Sequence, residues 1–91
     1  MSYKVITSLR AGKGLQSLKK SEPQVYRKAM SLIDELWEHP ETGTGHPEPL
    51  GGNRAGQWSR RITQKHRLIY QINKEEIVVI LLSAHGHYDD R

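Results

Sequence analysis

The sequence predicts an α+β fold in which two helices pack on one face of a small, mixed but mainly antiparallel sheet. The chain has 91 residues, enough for one hydrophobic core, so residues 1–91 are expected to form a single domain. Strand-like and helix-like segments follow one another in the order β-α-α-β-β-β. The chain contains no cysteine, so neither disulfides nor thiolate-bound metals contribute to the fold.

The first strand and the first helix occupy the N-terminal 20 residues. Residues 3–7 are short and β-branched, which is typical of a strand. Apolar residues recur at roughly helical spacing over residues 8–20. Gly12 and Gly14 each cost about 1 kcal/mol relative to alanine inside a helix. This helix is therefore expected to fray or to start late.

The second helix has the clearest pattern in the chain. Ser21 is expected to be its N-cap, because Pro23 follows in the first turn and Gln24 stands three residues after the cap, as in a capping box. Beyond this start, one continuous apolar stripe indicates the face that packs on the sheet. The stripe consists of Val25, Ala29, Leu32, Ile33 and Leu36.

A long loop and three strands follow the second helix. Proline and glycine recur between residues 40 and 56, which predicts a loop. Residues 58–63 and 67–73 are expected to pair as a hairpin, and residues 77–82, apolar on both faces, to form a central strand. Period-two alternation directs one set of hairpin side chains towards the helices, namely Leu68, Tyr70 and Ile72.

Basic residues are concentrated in the hairpin region. Residues 54–67 contain five cations and no acid: Arg54, Arg60, Arg61, Lys65 and Arg67. Such a block suits a polyanion such as RNA, because each neutralised phosphate releases counterions. A solvated basic strand pair without a ligand is an equally open interpretation. Alternation places Arg61 and Arg67 together on the solvent-facing side, where both could bind one phosphate.

Three residues are candidates for general acid-base catalysis, and the same residues could instead bind a metal. Glu48 lies in the loop, and His85 and His87 follow the last strand. Alternatively, the His-x-His spacing of His85 and His87 could hold a metal with His39, His46 or Glu48 as a third ligand.

A third interpretation is an RNA-binding module without catalysis. In that case Trp58, Tyr70 and Tyr88 would stack on the bases of single-stranded RNA, and the basic residues would bind its phosphates.

The chain has no segment near the roughly 20 apolar residues of a membrane span. Its N-terminus lacks the apolar core of a secretion signal. A cytoplasmic location without membrane contact is therefore expected.

Four segments carry a resemblance to a known family. They read G-H-P-E-P-L at 45–50, W-S-R-R-I-T at 58–63, H-R-L-I-Y at 66–70 and H-Y at 87–88. Together they resemble the YoeB (Txe) toxins of the RelE superfamily, and the order of elements extends the resemblance over the chain. The resemblance implies a bacterial type II toxin that cleaves mRNA in the ribosomal A site without a metal or other cofactor.

The resemblance also implies the roles of individual residues. Glu48 would take the proton from a ribose 2′-hydroxyl, and His87 would protonate the leaving 5′-oxygen. Arg67, with Arg61 in second place, would stabilise the charge on the phosphate, and Tyr88 would position the nucleotide. The further residues expected to contact RNA are His46, Arg54, Arg60, Lys65 and His85, although His85 could equally be a bystander.

The implied partners are a YefM-like antitoxin, the ribosome with its mRNA, and operator DNA bound by the toxin-antitoxin complex. Whether the free chain is a monomer or a homodimer stays open. Two departures from the family pattern affect the site. Gly51-Gly52 stands where the family often has a basic residue, so that contact is absent or comes from His46 or Arg54. The tail Asp89-Asp90-Arg91 extends past the usual end of the chain.

Overall fold

The structure, a computed structural model, describes residues 2–76 and 78–85 and consists of two helices and a five-stranded sheet. The sheet has the order β1-β5-β4-β3-β2; β1 runs parallel to β5, and the other pairs are antiparallel. The predicted fold class is therefore confirmed. The elements are β1 (Lys4–Thr7), α1 (Leu9–Ser21), α2 (Pro23–Leu36), β2 (Glu48–Pro49), a 3-10 turn (Gly52–Arg54), β3 (Gln57–Arg61), β4 (Arg67–Asn73) and β5 (Val78–His85).

Helix α1 starts earlier than its glycines suggested. Ser8 caps it by accepting a 3.0 Å hydrogen bond from the Ala11 amide, so the prediction of a late start is wrong. Gly14 lies against β5, where a Cβ atom would overlap the carbonyl oxygen of Ala84. The glycine is therefore required by the close approach of helix and sheet, and the packing offsets its low helix propensity.

The boundary between the helices lies one residue later than predicted. Ser21 ends α1, and its hydroxyl donates to the Ser17 carbonyl oxygen (2.9 Å), so it cannot cap α2. Glu22 occupies the N-cap position without a side-chain capping bond, and Pro23 starts α2. The predicted N-cap is wrong because the two helices follow each other directly, with no turn in which Ser21 would be free.

The core lies between the two helices and one face of the sheet, which we call the helix-covered face. The predicted apolar stripe of α2 is confirmed, because its last four members are buried. From the sheet, Leu68 and Tyr70 face this stripe with no exposed surface, and Ile72 packs against the cluster. The cluster contains Ala11, Ala29, Leu32, Ile33, Leu36, Ile62, Leu68, Tyr70, Val79 and Ala84.

The long loop contains a short strand that the sequence did not predict. Glu48 and Pro49 form β2, which pairs antiparallel with Ser59 and Trp58 of β3. Pro49 has no amide hydrogen to donate, which limits β2 to an edge position. The backbone of Glu48 is consequently paired with the sheet, although over two residues only.

Candidate active site on the outer face of the sheet

The strand register brings Glu48, Arg61 and Arg67 together on the face opposite the helices, here called the outer face. One row across the sheet pairs Glu48 with Ser59, Ser59 with Ile69, and Ile69 with Ser83. The neighbouring row pairs Arg61 with Arg67, and Arg67 with His85. Directly opposite residues of an antiparallel pair project to the same side. The outer face therefore combines a carboxylate with two arginines.

Arg61 and Arg67 are direct cross-strand neighbours on β3 and β4. Opposite residues in such pairs have Cα atoms about 4.5 to 5.5 Å apart. Arg61 is exposed and Arg67 is half-buried. No residue of the described part of the chain forms a hydrogen bond or ion pair with either guanidinium. Within that part of the chain, the donors of both groups are left for an anion from solution.

Glu48 stands at the edge of the same face. It lies one strand over from Arg61 and two residues along, which corresponds to a Cα separation of about 8 Å. Its carboxylate is exposed and forms no hydrogen bond with any residue that the structure describes. A phosphodiester bound by the arginines would consequently lie within reach of this carboxylate.

Backbone hydrogen bonds hold the Glu48 segment at both ends. The Arg61 amide donates to the Gly45 carbonyl oxygen (2.7 Å), and the Leu50 amide donates to the Gln57 carbonyl oxygen (2.9 Å). Gly45 has φ +90°, and His46 has φ +51°, a left-handed conformation that non-glycine residues seldom adopt. The chain thus turns sharply before it enters β2, and exposed His46 lies next to Arg61.

The centre of the outer face is shielded from solvent. Ser59, Ile69 and Ser83 are all buried, although they share this side of the sheet with exposed Glu48 and Arg61. The sequence predicted that Arg61 and Arg67 lie on a solvent-facing side of the sheet; the exposure of Arg61 agrees with this, whereas the burial of the centre was not predicted. Charges at the border and buried groups at the centre are a suitable arrangement for a site that binds an anion in a partly water-excluded environment.

Two further predicted RNA contacts lie at the ends of β3. Lys65 is exposed in the turn between β3 and β4, two residues before Arg67. Arg54 is exposed in the 3-10 turn, and its Nε donates to Oε1 of Gln57 (3.1 Å). Gly51 and Gly52 have open space beside them. Arg54 lies beside Gln57, which alternation along β3 places on the same side as Ser59 and Arg61.

Arg60 does not belong to this site, and the prediction that it contacts RNA is wrong. Its side chain has no exposed surface and points to the helix-covered face. Nη1 donates to Oε1 of Glu35 (2.8 Å), and Nη2 donates to the carbonyl oxygens of His39 (2.9 Å) and Thr42 (2.8 Å). Alternation along β3 already placed Arg60 with Trp58 on the helix side, and this pattern could have identified it as a structural residue.

The alternative stacking surface is contradicted for one of its aromatic residues, Tyr70. Tyr70 is fully buried, and its hydroxyl donates to the Pro40 carbonyl oxygen (2.8 Å). Burial raises the pKa of this hydroxyl, although the nearby Arg60 lowers it in part. Trp58 pairs with Tyr70 across the strands and packs against the core. The Tyr70 ring therefore cannot stack on a base, whereas the Trp58 ring is half-buried.

A residue that the sequence left without a role, His66, fixes the hairpin turn before Arg67. Nδ1 of the buried ring lies 2.6 Å from Thr63 Oγ1, and Nε2 lies 3.1 Å from Oε2 of Glu22. Thr63 Oγ1 also accepts the amides of Lys65 and His66, so its own proton is directed to Nδ1 and the ring proton to Nε2. The turn is thereby tied to the junction of the helices.

Three predicted residues lie at or beyond the end of β5. The backbone of His85 is in register with Arg67. His87 and Tyr88 lie outside the described residues. Within the described ranges, no group of three or more histidines and carboxylates could hold a metal ion.

The comparisons with known proteins show the family and the fold. A family model described as the YoeB-like toxin of bacterial type II toxin-antitoxin systems matches residues 10–88. The chain belongs to this family. Toxin YoeB of Mycobacterium bovis is 44% identical over 62 residues, covering 68% of this chain and 71% of that protein. Toxin YoeB of Escherichia coli K12 is 35% identical over 65 residues, covering 71% and 77%.

Solved structures of YoeB-like toxins show the same fold. The YoeB/ParE toxin from Agrobacterium tumefaciens has a TM-score of 0.85 at 30% identity, covering 93% of this chain and 99% of that one. YoeB in the YoeB-YefM complex from Staphylococcus aureus has a TM-score of 0.79 at 25% identity, covering 97% and 100%.

Within residues 2–76 and 78–85, no helix has the length and apolarity needed to cross a membrane.

Proposed function

We propose that this YoeB-like toxin is a ribosome-dependent endoribonuclease that cleaves mRNA in the A site and so stops translation. The observation that carries the proposal is the placement of Glu48, Arg61 and Arg67 on one face of the sheet, with both guanidinium groups unpaired among the described residues. Membership of the toxin family supports it.

The proposed reaction is a transesterification within the RNA, in which the phosphorus passes from the 5′-oxygen of one nucleotide to the 2′-oxygen of the preceding one. Glu48 takes the proton of a ribose 2′-hydroxyl, and the 2′-oxygen attacks the adjacent phosphorus. The bond from phosphorus to the 5′-oxygen breaks, and His87 supplies the proton of the leaving hydroxyl. The products are a 2′,3′-cyclic phosphate, which water can open to a 3′-phosphate, and a 5′-hydroxyl end.

Arg67 and Arg61 stabilise the negative charge that develops on the phosphate oxygens. Two planar guanidinium groups on adjacent strands can each form paired hydrogen bonds to the phosphate. Fixed donors of this kind contribute several kcal/mol in a site with little water. With an internal nucleophile and two proton carriers, we propose that the reaction needs no metal ion. Tyr88, His46, Arg54, Lys65 and His85 are the proposed further contacts to the RNA.

The ribosome supplies the geometry that the small domain lacks. The 2′-oxygen, the phosphorus and the 5′-oxygen must be nearly in line, a conformation that free RNA adopts rarely. Correct positioning contributes up to roughly 7 to 11 kcal/mol in favourable intramolecular reactions. The toxin should therefore cleave mRNA held in a bent conformation by the decoding centre far faster than it cleaves free mRNA.

The proposed partner in the cell is an acidic antitoxin of the YefM kind. Structures of Staphylococcus aureus YoeB include a YoeB-YefM complex, a heterotetrameric complex and a dimer. A disordered acidic segment that folds over the outer face would neutralise Arg61 and Arg67 and cover Glu48. We further propose that the complex binds its operator DNA, that the free toxin forms a homodimer, and that it acts in the bacterial cytoplasm.

A single-turnover assay tests the proposed function. Purified toxin is mixed with a programmed ribosome carrying an mRNA with an open A site, and in parallel with the same mRNA alone, and the ends are mapped. We expect cuts at one position of the A-site codon, with cyclic-phosphate and 5′-hydroxyl ends, at least about 100-fold faster on the ribosome. Equal rates on both substrates would contradict ribosome dependence. Tight ribosome binding without cuts would support the non-catalytic alternative.

A further inference from the structure

The segment between α2 and β2 determines where Glu48 lies, yet it contains no regular secondary structure before β2. Residues 39–45 cross the edge of the sheet, and β2 itself is only two residues long. A short edge strand provides few hydrogen bonds of its own. The position of Glu48 must therefore depend on what anchors the preceding loop.

Arg60 is that anchor from the side of the sheet. Its guanidinium reaches through the helix-covered face to the carbonyl oxygens of His39 and Thr42, which lie at two separate points of the loop. Beneath it, the Tyr70 hydroxyl holds the Pro40 carbonyl oxygen, and the Tyr70 ring lies 5.8 Å from the guanidinium carbon. Three loop carbonyl groups are thus bound by two buried side chains of adjacent strands.

Glu35 anchors the same loop from the side of helix α2. Its Oε1 accepts both from Arg60 (2.8 Å) and from the Thr44 amide (2.9 Å). The glycines beside Thr44 are required by these contacts. A Cβ atom at Gly43 would overlap the Glu35 carboxylate, and one at Gly45 would come within 2.7 Å of the Arg60 side chain, and both glycines have positive φ. The loop is consequently in close contact with both members of the Arg60–Glu35 pair.

A requirement for stability alone does not account for this arrangement. Removing an arginine from water is costly, and a buried ion pair is often no more stabilising than apolar residues of the same volume. Nε of Arg60 is also buried and has no acceptor among the described residues. What the charged pair provides is a single geometry for the loop, because its hydrogen bonds are directional and apolar contacts are not.

We infer that Arg60 and Glu35 are positioning residues that hold Glu48 in place for proton transfer. The inference rests on the proposed function of Glu48. The connection runs from the Arg60–Glu35 pair to Thr44, then through the Gly45 carbonyl oxygen, which accepts from the Arg61 amide, to the turn at His46 and into β2. Neither Arg60 nor Glu35 touches the RNA. They act by fixing the distance between Glu48 and the arginines of the outer face.

The test compares Glu35→Ala with a matched control on the same loop, Glu41→Ala. Glu41 forms an exposed ion pair with Lys74 (2.9 Å), so its loss removes the same charge without releasing the loop. For Glu35→Ala we expect kcat on ribosome-bound mRNA to fall about 10- to 100-fold, with KM changed less than about threefold. Glu41→Ala should stay within about twofold of the wild type.

Two additional readouts separate positioning from general damage. Hydrogen exchange of the Thr44 and Arg61 amides should accelerate in Glu35→Ala, whereas the Ile69 amide in the centre of the sheet should stay protected. Glu35→Gln keeps an oxygen that can accept both hydrogen bonds, so it should restore most of kcat. If Glu35→Ala is poorly folded, Thr44→Pro removes the same amide donor at an exposed position and should lower kcat likewise.

Several results would overturn the inference. Faster exchange of the two loop amides with an unchanged kcat would mean that the loop position does not matter for the reaction. A lower kcat with unchanged exchange, or a higher KM alone, would mean that Glu35 acts in another way. Failure of the proposed function has a different pattern, because then the wild type would not cleave, or Glu48→Gln would cleave as fast as the wild type.

Discussion

The two faces of the sheet use the same residue type in opposite ways. Arg60 and Arg61 are consecutive in β3, yet Arg60 is completely buried against the helices and Arg61 is exposed opposite Arg67. The buried arginine is bonded to Glu35 and to loop carbonyl oxygens, whereas the exposed one has no partner within the described ranges. One basic motif thus contributes a side chain that holds a loop and a side chain that we propose binds RNA.

The difference follows from the cost of removing a charge from water. On the helix-covered face a guanidinium is tolerated only with fixed acceptors, so Arg60 is committed to the native structure. On the outer face neither Arg61 nor Arg67 has a partner among the described residues, which within that part of the chain leaves their donors for an anion. We therefore expect substitutions on the two faces to separate folding from cleavage.

Among the arginines, the largest effect is expected for Arg67 on the outer face. Arg67→Ala should lower the single-turnover cleavage rate about 100- to 1,000-fold, because a fixed donor to the developing phosphate charge is lost. Its free energy of unfolding should change by less than about 1 kcal/mol. Quench-flow cleavage and urea denaturation measure the two quantities. A loss of stability as large as the loss of rate would contradict the separation of the faces.

The next effect is expected for Arg60 on the helix-covered face. Arg60→Met should lower the free energy of unfolding by about 3 kcal/mol, because Glu35 and two loop carbonyl groups lose their donor. The matched variant Arg61→Met should change it by no more than about 0.5 kcal/mol. Urea denaturation of both variants provides the comparison. Equal losses would mean that the adjacent arginines are not divided between structure and binding.

Two glycines of α1 test how closely the helix packs on the helix-covered face. Gly14→Ala should destabilise the protein by about 1 to 3 kcal/mol, because the new methyl group overlaps the Ala84 carbonyl of β5. At Gly12 a Cβ atom would meet only Thr7 Cγ2, at 3.9 Å, so Gly12→Ala should stabilise the helix by about 0.5 to 1 kcal/mol. Thermal denaturation should show shifts of opposite sign. Shifts of the same sign would contradict the close contact at Gly14.

The smallest effect concerns pH. Burial raises the pKa of Glu35, but hydrogen bonds from Thr44 and the charge and hydrogen bond of Arg60 outweigh burial, and the net pKa is lowered. A carboxyl group with a lowered pKa stabilises the folded state above its unfolded pKa, and this stability is lost as the pH falls through the folded-state pKa. The side chain is 32% exposed, so the effect should be no more than about 1 kcal/mol.

The corresponding measurement is the free energy of unfolding between neutral pH and about pH 3. It should fall more steeply for the wild type than for Glu35→Gln, which has no proton to gain at this position. Parallel curves for the two proteins would show that the Arg60–Glu35 pair does not contribute through charge.

The sequence predicts the fold well because its strongest patterns are local. The apolar stripe of α2 and the alternation in the hairpin each arise from a repeat that secondary structure imposes, and both are confirmed. The same alternation could have identified Arg60 as buried. Its charge pointed to RNA instead, and only a helix partner 25 residues earlier, Glu35, makes the burial acceptable.

Long-range features could not be predicted from local patterns. Ser21 is a good capping residue, but its place is decided by how directly one helix follows the other. Glycine is unfavourable inside a helix, and Gly14 is required because a side chain there would overlap Ala84 in β5, 70 residues later. His66 showed no pattern that would connect it to Glu22 across the molecule. The roles of His87 and Tyr88 stay predictions from the family resemblance.

The central claim is that the outer face performs the chemistry, and Glu48 tests it most directly. The measurement is single-turnover cleavage of ribosome-bound mRNA by the wild type, by Glu48→Gln and by the control Glu75→Gln, at an exposed turn position beyond the far end of β4, about 20 Å from Arg67. We predict a rate about 100- to 10,000-fold lower for Glu48→Gln, unchanged ribosome binding, and wild-type activity for the control. Wild-type cleavage by Glu48→Gln would contradict the account.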